Sequence, residues 1–169
     1  MEPRMEKYHL DEAGMMELLE RNECGVVCTN GDDGYPYGTP VNYVVMDGRI
    51  FFHGRSRGTR VSNMLRDPRC TMTVVEERGY QCYGPDACDT DTLFASVIVY
   101  GRLEAVGDPV LKTEVLRALT DRLVPERASD PVDPERVSRT GVFEISVEAM
   151  TGKYRDPKPG STVHPSGRL

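Results

Sequence analysis

Three arginines lie within six residues of one another in the segment HGRSRGTR, at positions 55, 57 and 60. The apolar run Ile50-Phe51-Phe52 precedes this segment, and Val61 and Met64 follow it at helical spacing. The first N–H groups of a helix lack partners and carry partial positive charge, and the guanidinium fork pairs well with phosphate oxygens. The cluster therefore favours a phosphate-bearing ligand. A solvated helix face whose arginines bind nothing is the alternative.

His53 ends the apolar run and opens the arginine segment, so it stands where a ligand would meet the protein. Histidine exchanges a proton near neutral pH and commonly serves as a proton or hydrogen-bond donor. We predict that His53 is a catalytic donor; a histidine bonded to the backbone at a strand end is the alternative. Neither a GxxxxGK[ST] loop nor a GxGxxG turn after a strand occurs in the sequence, which excludes those two phosphate motifs.

The elements that position these residues follow from apolar spacing, capping residues and turn signals. Strands are predicted at residues 24–29, 39–45, 49–53, 70–75, 92–106 and 141–150, and helices at 11–21, 108–123 and 134–139, with a further helix after the arginine cluster that Pro68 ends. Segment 77–91 lacks periodicity and is predicted to be an irregular surface excursion. The centre of strand 92–106 does not alternate, so both of its faces are predicted to be covered.

This order of elements predicts a mainly β fold with α-helices, a small Greek-key-like antiparallel barrel of about six strands with flanking helices. A doubly wound parallel sheet is disfavoured, because no helices separate the first three strands. The 169 residues fit one domain, predicted at 1–155, followed by an irregular tail at 156–169. A net charge of −6 disfavours nucleic acid as a partner. The absence of a signal-like or membrane-spanning apolar run predicts a cytoplasmic protein with no membrane contact.

Five cysteines are present, and none forms a CxxC pair. Because the ligand spacings of structural zinc are missing, structural or reduced thiols are favoured over a zinc site, and no metal site is predicted. A disulfide framework is also disfavoured in a reducing compartment. The cysteines concerned are Cys24, Cys28, Cys70, Cys82 and Cys88.

Several motifs, in order over about residues 8–155, resemble the flavin-binding split-barrel superfamily, which includes pyridoxamine 5′-phosphate oxidase. Within it, the nitroimidazole-resistance (Nim-type) proteins are the most similar. The motifs are Pro40-Val41-Asn42-Tyr43, Phe52-His53-Gly54, Leu65-Arg66-Asp67-Pro68, the strand FASVIVYG at 94–101, and Thr151-Gly152-Lys153.

The resemblance implies a split barrel that forms a homodimer and binds two FMN molecules at the subunit interface. Arg55, Gly58, Thr59 and Arg60 would hold the phosphate, residues 40–43 would lie along the flavin ring, and Ser96 and Val97 would reach the flavin of the partner. The full set of cofactor-binding residues implied is Pro40, Val41, Asn42, Tyr43, His53, Gly54, Arg55, Gly58, Thr59, Arg60, Ser96, Val97 and Lys153.

The function implied is an FMN-dependent oxidoreductase that reduces a small, electron-poor acceptor such as a nitroimidazole, with NAD(P)H as a possible donor. A flavin or haem carrier without turnover is one alternative, and a structural dimer that binds incidental phosphate is another. An enzyme related to pyridoxamine 5′-phosphate oxidase is a further alternative. Oxidation of pyridoxamine phosphate itself is disfavoured, because the chain has no tryptophan and lacks the Trp- and Arg-bearing closing strand of those oxidases.

Overall fold

The computed structural model describes residues 7–166 of the chain, which form seven strands, four α-helices and one 3-10 turn. The strands are β1 (Cys24–Asn30), β2 (Pro36–Met46), β3 (Arg49–Gly54), β4 (Arg69–Cys82), β5 (Thr90–Ala105), β6 (Gly141–Arg155) and β7 (Thr162–His164). The helices are α1 (Glu12–Arg21), α2 (Thr59–Arg66), α3 (Pro109–Leu123) and α4 (Pro134–Arg139), and the 3-10 turn is Pro125–Arg127.

Six of the strands close into a ring. Their order is β1-β2-β3-β6-β5-β4, and β4 pairs back to β1 through the register Val26↔Thr73 to Thr29↔Cys70. Every pairing is antiparallel. The predicted fold class, a small antiparallel barrel with flanking helices, is confirmed. Closure leaves few exposed strand edges, since each of the six ring strands has a neighbour on both sides.

Two apolar clusters stabilise this arrangement. The larger fills the barrel with inward-facing side chains of the six strands and includes Leu18 and Leu19 from α1. The smaller packs α3 on the outside of the sheet, where Val115 and Leu119 meet Phe51. Burying a large apolar side chain contributes about 1.5–3 kcal/mol, so both helices are held mainly by these faces.

The local signals in the sequence are confirmed at the helix starts and the first hairpin. The Asp11 carboxylate accepts from Gly14 N, and the Asp108 carboxylate accepts from Val110 N, so both aspartates cap their helices. Asp47 and Gly48 both have positive φ, 50° and 73°, as expected for the two central residues of a type I′ turn. This turn places β3 beside β2, with Met46 paired to Arg49.

Two predictions about irregular segments are wrong. Strand β4 does not end at Val75 but continues to Cys82, and β5 begins at Thr90, so most of segment 77–91 is a paired hairpin. A register shift between Glu77 and Gly79 interrupts the alternation and explains why the pattern is not visible in the sequence. The tail also contains a strand, β7, which pairs with the outer edge of β4.

Within one chain, the core face of β5 is fully covered and its outer face only in part. Val97 and Val99 are buried on the core side; on the outer side Ser96 is only 9% exposed, whereas Tyr100 is 43% exposed. The prediction that both faces are covered therefore holds at Ser96 and fails at Tyr100 for the single chain. The exposed face continues across the neighbouring strands, with Val75 of β4 at 58% exposure.

None of the helices within residues 7–166 is long and apolar enough to span a membrane. All five cysteines have free thiols. Over the same residues, no group of three or more His, Cys, Asp or Glu side chains is arranged to hold a metal ion.

Candidate functional site

A cleft of about 570 Å³ lies where β2, the end of β3 and the start of α2 meet. It brings together nine of the thirteen predicted cofactor-binding residues, because β3 pairs with β2 and leads directly into α2. These nine are Pro40, Val41, Asn42, His53, Gly54, Arg55, Gly58, Thr59 and Arg60. The cleft is therefore the candidate functional site.

Arg60 is the half-buried cation of the cleft. Its guanidinium carbon lies 4.9 Å from the centroid of the Phe52 ring and 5.1 Å from that of Phe143, and Nη1 donates to Thr39 Oγ1 over 3.3 Å. No carboxylate of the described residues lies within 4 Å of this guanidinium, and its buried Nε has no hydrogen-bond partner. Burial lowers the pKa of Arg60, but arginine stays protonated at neutral pH. A desolvated charge without an anion is costly, so this arrangement favours an anionic ligand.

The N-terminus of α2 adds unpaired backbone donors next to Arg60. Gly58 precedes the helix with φ 118°, a conformation that L side chains rarely adopt, and no side chain caps the helix start. Ser62 N donates to Gly58 O, so the helix ladder begins there and the N–H groups of residues 59–61 have no helical partners. Free N–H groups beside a guanidinium form an oxyanion cradle.

A buried polar contact fixes α2 against the barrel. Asn63 is 3% exposed and donates through Nδ2 to Thr29 Oγ1 over 3.1 Å. The same Thr29 hydroxyl lies 3.5 Å from Tyr37 O on β2. Because these bonds join α2 to both β1 and β2, they fix the direction in which the helix start faces the cleft.

The charges around the cleft have one sign. Arg55, Arg57 and Arg60 line it together with His53, and no aspartate or glutamate is among its lining residues. The two exposed arginines also have no carboxylate within 4 Å in residues 7–166. In a protein with 27 acidic residues and a net charge of −6, such a cleft favours an anionic ligand.

His53 lies at the mouth of the cleft with an exposed side chain. Its backbone pairs with Val142 of β6, whereas its imidazole makes no hydrogen bond to any described residue. The structure therefore does not show the alternative, in which the histidine side chain is hydrogen-bonded to the backbone. Both ring nitrogens are available to a ligand.

Gly54 allows Arg60 to lie across the end of β3. A Cβ built on Gly54 would lie 2.5 Å from Arg60 Nη2, which is too close for two unbonded atoms. The three atoms nearest to this Cβ all belong to side chains, so an alanine would displace the flexible guanidinium rather than the strand. The glycine thus helps to place the cation.

We expect Gly54→Ala to keep the fold and to weaken binding of a phosphate-bearing ligand by up to about 1.5–3 kcal/mol, the range for a bond to a charged group. Ligand titration and thermal unfolding measure the two effects separately. Gly107→Ala is the matched control, because no atom lies within 4 Å of a Cβ built there. Unchanged affinity in Gly54→Ala would mean that the observed position of Arg60 is not needed for binding.

Four predicted residues lie outside the cleft. The Tyr43 side chain is fully buried, its hydroxyl donates to Leu19 O over 2.7 Å, and burial raises the pKa of the phenol. Val97 is fully buried in the barrel core, so its side chain cannot reach a ligand on a partner. Ser96 and Lys153 are register partners on the opposite, outer face. The predicted contact of Ser96 with a partner's flavin and the predicted cofactor contact of Lys153 stay predictions.

Four lining residues are absent from the predicted cofactor set: Tyr37, Thr39, Arg57 and Val61. Tyr37 and Thr39 precede Val41 at steps of two along β2, so strand alternation from Val41 places them on the same face. Arg57 belongs to the arginine cluster that the sequence already displays. Val61 is recognisable only as the third residue of α2.

A second open depression, of about 660 Å³, lies elsewhere on the barrel, and its charged lining residues are Asp67, Glu148 and Arg69. Arg69 pairs there with Asp67 at 2.7 Å and holds the pKa of that carboxyl well below its usual range. Burial raises the pKa of the Cys70 thiol to about 11, which keeps it protonated and unreactive at neutral pH. Neither feature provides an unpaired charge for a ligand.

Known structures share this fold, and one family model matches the sequence. The chain matches no curated protein sequence. A candidate 5-nitroimidazole antibiotic resistance protein from Bacteroides thetaiotaomicron superposes with a TM-score of 0.73 at 18% identity, over 86% of this chain and 85% of that one. The flavocytochrome Anf3 from Azotobacter vinelandii gives 0.80 at 24% identity, over 93% and 73%.

The FAD- and haem-binding protein from Mycobacterium smegmatis likewise gives a TM-score of 0.80, at 16% identity over 92% of this chain and 82% of that one. These likenesses confirm the predicted fold. The family model for pyridoxamine 5′-phosphate oxidase matches residues 11–154, which include five of the ring strands entirely, β6 up to Tyr154, and the whole cleft. The chain therefore belongs to the pyridoxamine 5′-phosphate oxidase family.

Proposed function

We propose that the protein binds FMN in the cleft and acts as a flavin-dependent oxidoreductase. The observation that carries the proposal is the half-buried Arg60, which has no carboxylate partner among the described residues and lies beside the free N–H groups of α2. A phosphate dianion suits this cradle in charge and in donor number. Three similar folds belong to proteins described as flavin- or FAD-binding or as a flavocytochrome, which supports the same ligand class.

The remainder of the cleft suits a flat ring system. Pro40 and Asn42 alternate along one strand, and proline has no N–H, which leaves its carbonyl and the neighbouring donors to a ligand edge. The Asn42 side chain donates to Glu23 O over 3.1 Å, so one of its two amide N–H donors is already used. FMN, when bound, supplies the hydride and electron chemistry of the reaction.

In turnover, the chain's own residues would orient the flavin and supply a proton. Arg60 and the start of α2 would anchor the phosphate, and His53 would donate a hydrogen bond or a proton to the acceptor as it gains electrons. A small, planar, electron-poor acceptor such as a nitroimidazole fits the open mouth of the cleft. A reduced nicotinamide nucleotide is the proposed electron donor. Its phosphates would contact Arg55 and Arg57, which are exposed at the rim of the cleft.

A flavin or haem carrier without turnover is the second candidate, favoured by the haem-binding and flavocytochrome descriptions of two similar folds. Anaerobic assays with NADH or NADPH and a 5-nitroimidazole separate the two candidates. Consumption of the nucleotide that depends on both protein and acceptor supports the enzyme. A protein that holds flavin but gives no turnover with any donor supports the carrier.

We expect the protein purified from cells to be yellow and to release mainly FMN on denaturation. The cleft has one oxyanion cradle at Arg60, and no dinucleotide motif prepares a second one along the chain. Mass spectrometry of the released cofactor identifies it. Mainly FAD would contradict the choice of FMN, and a colourless protein that takes up no flavin would contradict the proposed function itself.

We further propose a homodimer formed through the outer face of β1, β4 and β5. Val26, Val75 and Tyr100 are 41%, 58% and 43% exposed on neighbouring strands of this face. Exposed apolar residues grouped in this way favour association with another protein surface. Ser96 and Lys153 lie on the same face, so a second copy would bring them near the partner's flavin.

Val75→Asp should therefore shift the protein towards monomers and lower flavin retention. A charge buried without a partner at an interface costs several kcal/mol, whereas the same charge is harmless on a solvated surface. Light scattering after size-exclusion chromatography gives the mass, and absorbance gives the flavin content. Val110→Asp, at a valine 63% exposed on α3, is the matched control. A monomeric wild-type protein with full flavin content would contradict the dimer.

A further inference from the structure

A buried lysine lines a cavity beside the arginine segment, adjoining the cleft. Lys112, in the first turns of α3, is only 9% exposed. No carboxylate of residues 7–166 lies within 4 Å of its ammonium group. Lysine is almost never this buried without an ionic partner, since an unpaired charge loses its hydration without compensation.

The ammonium group is only partly satisfied by the chain. Nζ donates to Ser138 O, near the end of α4, over 3.3 Å. A cation at helix C-terminal carbonyls is favourable, so this contact explains part of the burial. The ammonium has three N–H donors, and the other two have no partner among the described residues.

A cavity of about 140 Å³ adjoins Lys112, several times the roughly 30 Å³ that one water occupies in the liquid. Its lining includes the hydroxyls of Ser56, Ser138 and Thr140. Those of Ser138 and Thr140 already donate to carbonyls of α4, whereas the Ser56 hydroxyl makes no bond to a described residue. Lys112 and Ser56 therefore supply the free donors, and no acidic side chain lines the cavity.

This cavity adjoins the cleft, since Val61 lines both. Arg55 and Arg57 line the cleft, whereas Ser56 between them lines the cavity. From the buried lysine, the free hydroxyl and the partly open cavity beside them, we propose a second oxyanion site, distinct from the cradle at Arg60. It would bind an oxyanion of phosphate size, and its occupant would contact the arginine segment at Ser56.

Inorganic phosphate is the probe, and an Arg60→Gln background removes the cation of the first cradle. Thermal unfolding is followed as phosphate replaces chloride at constant ionic strength. We expect phosphate at about ten times its Kd to raise the Tm of Arg60→Gln by about 3 °C. The additional change Lys112→Met, which keeps the apolar stem, should abolish that rise, and Ser56→Ala should reduce it. Lys158→Met is the control and should leave it unchanged.

The proposal is overturned if phosphate does not raise the Tm of Arg60→Gln, or if the rise survives Lys112→Met. In either case Lys112 would serve only to cap α4. Should the Lys112 variant not fold, the comparison of Ser56→Ala with its parent decides, and an undiminished rise there overturns the site. No flavin takes part in this experiment, so its failure leaves the proposed function untouched.

Two sources could supply the oxyanion, a free phosphate ion or the second phosphate of a flavin dinucleotide. Lys112→Met in the otherwise native protein distinguishes them by titration with FMN and FAD. Unchanged affinity for both flavins, with the phosphate effect lost, assigns the site to a free ion. A tenfold or greater loss of affinity for FAD alone supports the site as a holder of the second phosphate and contradicts the choice of FMN.

Discussion

Arg60→Ala should weaken FMN binding by about 1.5–3 kcal/mol, which is about 10- to 150-fold in Kd. The guanidinium is held over the rings of Phe52 and Phe143 and is bonded to Thr39, so it is already in place before a ligand arrives. Little conformational entropy is lost on binding, and the half-buried position keeps the charge pair from being fully screened. Fluorescence titration of the flavin-free variant measures the change.

Two comparisons make that result specific to the cleft. Arg127→Ala removes an exposed arginine that pairs only with Asp130, and it should bind FMN like the native protein. Riboflavin, which lacks the phosphate, should bind Arg60→Ala and the native protein with similar affinity. If Arg60→Ala bound FMN with native affinity, Arg60 would have only a structural role, packed over the two rings.

His53→Gln should retain flavin and assembly but lower turnover about 100-fold or more, the lower end for the loss of a positioned proton donor. Glutamine keeps a side chain of similar reach that can donate a hydrogen bond, but it cannot deliver a proton. The imidazole is exposed at the cleft mouth and makes no bond to a described residue, so its replacement should leave the barrel unaffected. Steady-state kinetics and the absorbance spectrum are the two measurements.

His164→Gln provides the control, since His164 is exposed on β7 and paired through its backbone with Tyr80. It should leave both spectrum and turnover unchanged. Full activity in His53→Gln would remove the catalytic role. Loss of flavin with turnover restored by added FMN would instead assign His53 to cofactor binding.

The cleft was largely predictable because its parts are close in the sequence. Residues 53–60 supply the end of one strand, a turn and the first residues of a helix, and the Asp47-Gly48 turn places β2 beside them. Each of these steps depends on local signals that a single sequence carries. Tyr37 and Thr39 needed one further step, the extension of strand alternation back from Val41.

The remaining features depend on pairings between distant segments. The bulge between Glu77 and Gly79 breaks the alternation of β4, so its long pairing with β5 leaves no periodic trace. Strand β7 has three residues and exists only because the extended hairpin offers an edge. Adjacent residues of a strand face opposite sides, and the sequence did not reveal which of Ser96 and Val97 faces the core.

Because Arg60 packs over two interior rings, substitutions in the barrel core can change ligand affinity during evolution. Phe52 and Phe143 stack at 5.4 Å within the interior, and neither lines the cleft. A single substitution at either ring would change both the thermal stability of the protein and its ligand affinity. Mutational screens for tighter binding should therefore recover substitutions in the barrel core. Differences in affinity among relatives should likewise arise from core substitutions as well as from surface ones.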